Sequence, residues 1–221
     1  MANELARRLG LALCLGLAVG CAGRTGPLSQ ALESVGERHD ALATSDALEA
    51  LIAAGTDTPA DREYAYEIVT AKEEDGAAYA FARAAVTGRL VQQRGLLGAD
   101  LVPAVERWAT RSRKLDPTFR DGAATRLLGT LYVLAPAPLF AHGASEAVLS
   151  LLEELTREYP ETPENHLRLA EAYIALGDPA PAAPHLCFCL QRRAELRPDD
   201  QRLLDQLVTS PGAPSACPPA P

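Results

Sequence analysis

The stretch from Pro163 to Asp178, PENHLRLAEAYIALGD, decides how the rest of the chain is read. Leu169, Ala170, Tyr173 and Leu176 fall at helical spacing and make one apolar stripe, from which Arg168, Glu171 and Ala175 turn away. Gly177 stands where a left-handed residue ends a helix, and Asp178 with Pro179 stops the run. A second helix is predicted from about Pro184 to Arg197, stopped by Pro198. The two form one short antiparallel hairpin whose first helix carries a large-small-aromatic signature.

The signature recurs. In RLLGTLY, Leu128, Gly129 and Tyr132 hold the same three positions, 41 residues before Leu169, Ala170 and Tyr173. Further upstream, Ala77 to Arg94 reads as a long amphipathic helix. Its small residues Ala80, Ala84, Ala85 and Gly88 would let another helix approach closely. Leu101 to Leu115 is its partner, with Ala104 and Trp108 four apart. The fold class expected is all-α: tetratricopeptide-like hairpins forming a short α-solenoid over residues 59–209, with function lying in what its concave surface holds. The spacing exceeds the usual repeat of about 34 residues, so the units carry insertions. One is visible as Leu134 to Ala144, after which Ser145 caps a return helix to Tyr159-Pro160. Before the solenoid, residues 21–58 read as a linker with two short helices, about Pro27 to Glu37 and Asp46 to Ala54, the second capped by Ser45 or Asp46. Pro59 or Ala60 opens the next helix, which ends in the solvated charge run Lys72 to Asp75. Asp199 or Asp200 caps a last helix through Leu203, Leu204 and Leu207. Residues 210–221 form a proline-rich tail without the means to pack.

Residues 1–20 are expected outside the fold. Arg7 and Arg8 make a positive start, and Leu9 to Val19 is an apolar run of signal-peptide length, short of the roughly 20 residues a spanning helix needs. Ala18-Val19-Gly20-Cys21 reads as a lipobox, with Cys21 as the lipidated residue; the plainer reading is a secretory signal with an incidental cysteine. Ala22 after the cysteine sends such a protein to the outer membrane by default. Acyl chains then anchor it, facing the periplasm, without a spanning helix.

The chain is moderately acidic, with 21 Lys and Arg against 29 Asp and Glu, and removing the leader makes it slightly more so. With no basic stripe, nucleic acid is excluded as a partner. Cys187, Cys189 and Cys217 remain beside Cys21, in a compartment that permits disulfides. On a helix, positions 187 and 189 lie about 200° apart, so one of them can bridge to Cys217 while the other stays buried. Which one is open. The histidines (His39, His142, His166, His185) lack metal-ligand spacing, and no phosphate loop, nucleophile elbow or His-Glu-x-x-His occurs. No cofactor, metal or catalytic residue is expected. His166 is expected in the core or a groove, and Tyr132 and Tyr173 in the core.

From Arg126 to Asp178 the chain resembles the TatT-type T component of tripartite ATP-independent periplasmic (TRAP) transporters. The matching residues are Leu128, Gly129, Tyr132, Pro136, Gly143, Ala147, Pro160, Asn165, Leu169, Ala170, Glu171 and Tyr173. The resemblance implies a periplasm-facing hairpin lipoprotein that self-associates, partners a periplasmic solute-binding protein and shelters a hydrophobic ligand. This chain is shorter than the family pattern and has a proline-rich start to its last return helix. Within the insertion, Leu139, Phe140 and His142 are the binding candidates, because an apolar pair in a loop needs a reason to be there. The alternative function is a generic tetratricopeptide scaffold in an envelope or pilus assembly complex. A polar groove would favour it over an apolar pocket.

Overall fold

The computed structural model describes residues 26–134, 145–210 and 217, and among these every regular element is helical. The helices are α1 (Gln30–Gly36), α2 (Ala41–Ala54), α3 (Pro59–Ala71), α4 (Ala77–Arg94), α5 (Val102–Leu115), α6 (Ala123–Leu134), α7 (Ser145–Glu158), α8 (Pro163–Ala175), α9 (Ala182–Gln191) and α10 (Pro198–Val208). The expected all-α fold of packed helical hairpins is what the chain forms.

The caps explain the boundaries. At α3, the Thr58 hydroxyl accepts from the Asp61 amide at 3.2 Å and the Asp61 carboxylate accepts from the Thr58 amide at 2.8 Å, a reciprocal capping box followed by Pro59. The other Asp61 oxygen accepts from the Ser29 amide at 2.7 Å, which ties the start of the described chain to α3. At the end of α8, Gly177 has φ +83° and the Asp178 amide donates back to the Tyr173 carbonyl at 3.0 Å, closing the helix as its glycine predicts.

Several boundaries differ from the sequence reading. Helix α1 begins at Gln30 rather than Pro27, because the Ser29 amide is engaged by Asp61. Helix α2 begins at Ala41, with Asp40 as its cap, accepting from the Ala43 amide at 2.9 Å; Ser45 and Asp46 sit inside the helix. Helix α9 stops at Gln191, and a 3-10 turn, Arg193–Glu195, carries the chain to a buried Leu196. Helix α10 starts at Pro198, with Arg197 in the cap position and Asp199 and Asp200 in its first turn.

The even-numbered helices make a closed cycle: α2, α4, α6, α8 and α10 each contact the next, and α10 contacts α2. Helices α3, α5, α7 and α9 lie outside it, each against its two flanking ring helices. Apolar packing is local. One cluster joins α1 to α6 around Leu48, Val69, Ala80, Trp108 and Leu128, another joins α7 and α8 around Leu152 and Leu169, and a third joins α8 to α10 around Leu167, Leu186 and Leu204. Helices α1 and α2, from the segment read as a linker, thus belong to the first core.

The closure itself is polar. Glu49 of α2 receives both Arg89 of α4, at 2.6 Å, and Arg197, at 2.8 Å; Arg197 also pairs with Asp199. Arg202 of α10 donates to the carbonyls of Ile52 and Ala53 at the end of α2. Arg168, which the apolar stripe turns outward, points into this junction and bonds Asp200 at 2.6 Å. Arg126 of α6 donates to Asn165 Oδ1 at 2.5 Å. Burial pushes the Glu49 carboxyl up, but the hydrogen bonds from Arg89 and the charges of Arg89 and Arg197 outweigh it and hold it below its usual value.

Candidate functional site

The concave face of a helical repeat is its usual binding surface, and here the ring helices meet one another across that face through charged side chains. The cleft lies instead on the outer side, between α7 and α9 and floored by α8. It has a volume of about 260 Å³ and is lined by Glu153, Thr156, Arg157, Leu169, Tyr173 and His185. A smaller hollow of about 70 Å³ lies beside Arg113 and Glu158.

Each wall is set by the helix that carries it. Glu153 and Arg157 are one turn apart on α7, so a carboxylate and a guanidinium face the opening at helical spacing. Thr156 between them is buried and donates its hydroxyl to the Leu152 carbonyl at 2.8 Å. On α8, Leu169 and Tyr173 sit at i and i+4. The Tyr173 hydroxyl crosses the cleft and donates to Glu153 Oε1 at 2.5 Å. Burial first, and then this hydrogen bond to Glu153, push the Tyr173 phenol up to about 12. It is therefore a hydrogen-bond donor at any physiological pH, and not a base.

His185 on α9 closes the third side, its ring parallel to Tyr173 with centroids 6.2 Å apart. Behind it, His166 stacks on Phe188 at 3.9 Å. The two imidazoles meet Nδ1 to Nδ1 at 2.9 Å, and His166 Nε2 lies 2.9 Å from the Pro160 carbonyl. A carbonyl only accepts, so His166 carries its proton on Nε2 and its lone pair on Nδ1. His185 must then donate through Nδ1, which leaves Nε2 as its acceptor. Burial, and then the facing His166, push the His185 imidazole down to about 4; burial likewise lowers His166. Both rings are neutral at pH 7, and the relay from Pro160 through His166 fixes the tautomer that His185 brings to the cleft.

This lining offers a carboxylate, a guanidinium, a fixed acceptor and an apolar floor at close quarters. Such a mixture suits a polypeptide segment with polar and apolar side chains better than a hydrophobic small molecule. The Thr156 hydroxyl is engaged by backbone, and the Cys189 thiol, buried and donating to the Pro163 carbonyl at 3.3 Å, is pushed up to about 12 by burial. Among the described residues, no group of three His, Cys, Asp or Glu side chains is placed to hold a metal.

Cys187 is disulfide-bonded to Cys217, with Cα atoms 5.3 Å apart, which ties Cys217 to α9. His166 is partly buried behind His185, stacked on Phe188, and does not itself line the cleft. Tyr173 and Tyr132 both pack against the core clusters but are only half-buried, Tyr173 with one side on the cleft and Tyr132 with its hydroxyl donating to Glu106 at 2.8 Å. The solvated run Lys72 to Asp75 lies at a helix end, where Glu73 and Asp75 meet Arg111. Leu139, Phe140, His142 and the lipidation candidate Cys21 fall outside the described residues. Glu153, Thr156 and Arg157 were not legible as site residues, because an acidic-basic pair one turn apart reads as a solvated face. No described helix is long and apolar enough to cross a membrane.

No family model matches the chain, and no curated protein matches it.

Proposed function

We propose that the protein is a non-enzymatic interaction lipoprotein, anchored through Cys21 to the outer membrane and facing the periplasm, that grips a segment of a partner protein in the α7–α8–α9 cleft. The proposed partner is a periplasmic solute-binding protein of a TRAP-type transporter. The observation that carries the binding reading is the cleft itself, where Glu153, Arg157 and the tautomer-fixed His185 surround the Leu169–Tyr173 floor. The partner class rests on the resemblance of the residues between Leu128 and Tyr173, two of which form that floor. A lining of mixed polar and apolar side chains suits a protein segment better than a sheltered hydrophobic ligand. The same lining supports a second reading, a scaffold within an envelope or pilus assembly complex, in which the cleft holds a different periplasmic protein.

Affinity isolation of the intact lipoprotein from its native membranes tests the proposal. A solute-binding protein should return with the wild type and be lost with Tyr173→Ala or Arg157→Glu. Return of an assembly-machine component in its place would establish the second reading. Equal recovery with the cleft variants would remove the cleft from either.

A further inference from the structure

The connection between α4 and α5 displays two leucines that the fold does not use. Leu96 and Leu97 are 90% and 87% exposed, the two most exposed large apolar residues among those described. They belong to the 3-10 turn Gly95–Leu101, which is held at both ends. Gly95 has φ +56°, a backbone conformation that favours glycine. A Cβ at Gly98 would lie 3.1 Å from the Val91 Cα, so the chain folds back tightly onto the last turn of α4. Val102, which follows, is buried. The two leucines are thus presented by a braced turn, outward and side by side, where packing of the domain gains nothing from them.

Their position says what they face. Arg94, at the end of α4, pairs with Glu63 at 2.6 Å, and Arg62 donates to the Arg89 carbonyl at 3.0 Å, so the carboxyl end of α4 lies beside the amino end of α3. That amino end also holds the start of the described chain: the Thr58 hydroxyl donates to the Pro27 carbonyl at 3.2 Å and Asp61 holds Ser29. Cys21 is five residues before Gly26, within about 17 Å of extended chain. A lipid on Cys21 therefore tethers the molecule by the same end from which Leu96 and Leu97 project. Near the tip, Arg94 is paired and Asp100 adds a single negative charge, so no basic patch demands an anionic surface.

We propose that the Leu96–Leu97 tip inserts into the lipid surface to which the chain is tethered, as a second and non-covalent contact that sets the orientation of the domain on the membrane. A single attachment leaves a protein free to swivel, and an apolar wedge close to it supplies the second signal. The proposal deepens the reading of Cys21 as lipid-bearing. With the tip in the bilayer, the tethered end faces the membrane and the domain stands in one orientation above it.

The test uses Leu97→Trp in the full mature chain, reconstituted into phosphatidylcholine vesicles with and without brominated acyl chains. The protein's single native tryptophan, Trp108, is buried and serves as the internal control. The inserted tryptophan should shift to shorter wavelength and lose emission to the brominated chains, while the parent protein does neither. Replacing both leucines by serine should weaken the binding of unacylated chain to the same vesicles about a hundredfold, with little dependence on salt. Mass spectrometry of the amino-terminal peptide decides separately whether Cys21 is acylated. If it is not, coupling Cys21 to a maleimide lipid restores the tether and leaves the tip test intact. Absence of quenching in the tethered protein would overturn the proposal. So would the same blue shift in lipid-free protein at high concentration, which would assign the tip to a contact between copies of the chain.

Discussion

Arg197 and Glu49, 148 residues apart in the chain, meet at 2.8 Å and so join its last helix to its second. Arg89 shares the same carboxylate, at 2.6 Å to each oxygen. No apolar cluster of the described residues spans α10 and α2, so charged groups make this closure where hydrophobic burial makes the others.

Removing the shared carboxylate leaves Asp199 to serve both guanidinium groups, at 2.6 Å from Arg197 and 3.7 Å from Arg89. Glu49→Ala should lower the unfolding free energy by about 1–2 kcal/mol, less than the cost of stranding a fully buried charge. Chemical denaturation measures the loss, and small-angle scattering of the folded variant should show a larger radius as α10 separates from α2. The junction also responds to acid. The Glu49 and Asp199 carboxyls are held below their ordinary values by Arg89 and Arg197 against the opposing effect of burial. Their stabilisation is complete above the unfolded carboxylate range and is lost as pH falls through their lowered values.

The histidine pair gives a second pH dependence, in a higher window. Neutral His185 fits the cleft wall and neutral His166 lies behind it, while the unfolded chain takes up protons near pH 6.5. Stability is therefore full above about pH 6.5 and declines as pH falls toward about 4, the value for His185 in the fold. Burial, aided by Arg192 at His166 and by His166 at His185, outweighs the Pro160 carbonyl, Glu161 and Glu153, which favour the protonated forms. A nuclear magnetic resonance titration should place His185 well below the usual histidine range. His185→Gln should flatten the slope of stability between those two pH values.

Thiol chemistry separates the three cysteines. The oxidised mature domain, without Cys21, should show no thiol that reacts quickly with Ellman's reagent. Mild reduction should release Cys187 and Cys217 as two reactive thiols. Cys189 should react only on unfolding, since burial keeps it protonated. A fast-reacting Cys189 would contradict its place beneath the Pro163 carbonyl.

Two helical glycines that look alike in sequence should behave oppositely. A Cβ at Gly129 would lie 2.4 Å from Leu152 Cδ2, at the crossing of α6 and α7, whereas one at Gly88 would be 3.8 Å from Val105. Gly129→Ala should cost about 1–3 kcal/mol by overpacking. Gly88→Ala should be neutral or stabilise by up to about 1 kcal/mol, because glycine disfavours a helix. Thermal unfolding of the pair distinguishes the two.

These contrasts show what the sequence makes legible. The hairpin at Pro163 to Asp178 carries local signals, an apolar stripe and a terminal glycine, and its first helix formed where those signals placed it. Boundaries failed where two local signals competed, as when Asp40, rather than Ser45 or Asp46, took the cap of α2. The ring closure left no periodic trace, because Glu49, Arg89 and Arg197 each occupy helix faces that read as solvated. The cleft was not visible. Leu169 and Tyr173 read as the packing stripe, His185 as one of four scattered histidines, and the binding candidates Leu139, Phe140 and His142 fall outside the described residues, while Glu153 becomes a wall only once α8 brings the Tyr173 hydroxyl to it.

The most direct test of the binding reading is photo-crosslinking from the cleft. A photoreactive amino acid at Arg157, on the exposed rim, should trap a periplasmic solute-binding protein in intact cells. The same probe at Glu67, exposed on α3, which packs against α1, α2 and α4, should trap none. Equal trapping from both positions, or none from Arg157, would contradict the assignment of the cleft as the site where the partner is held.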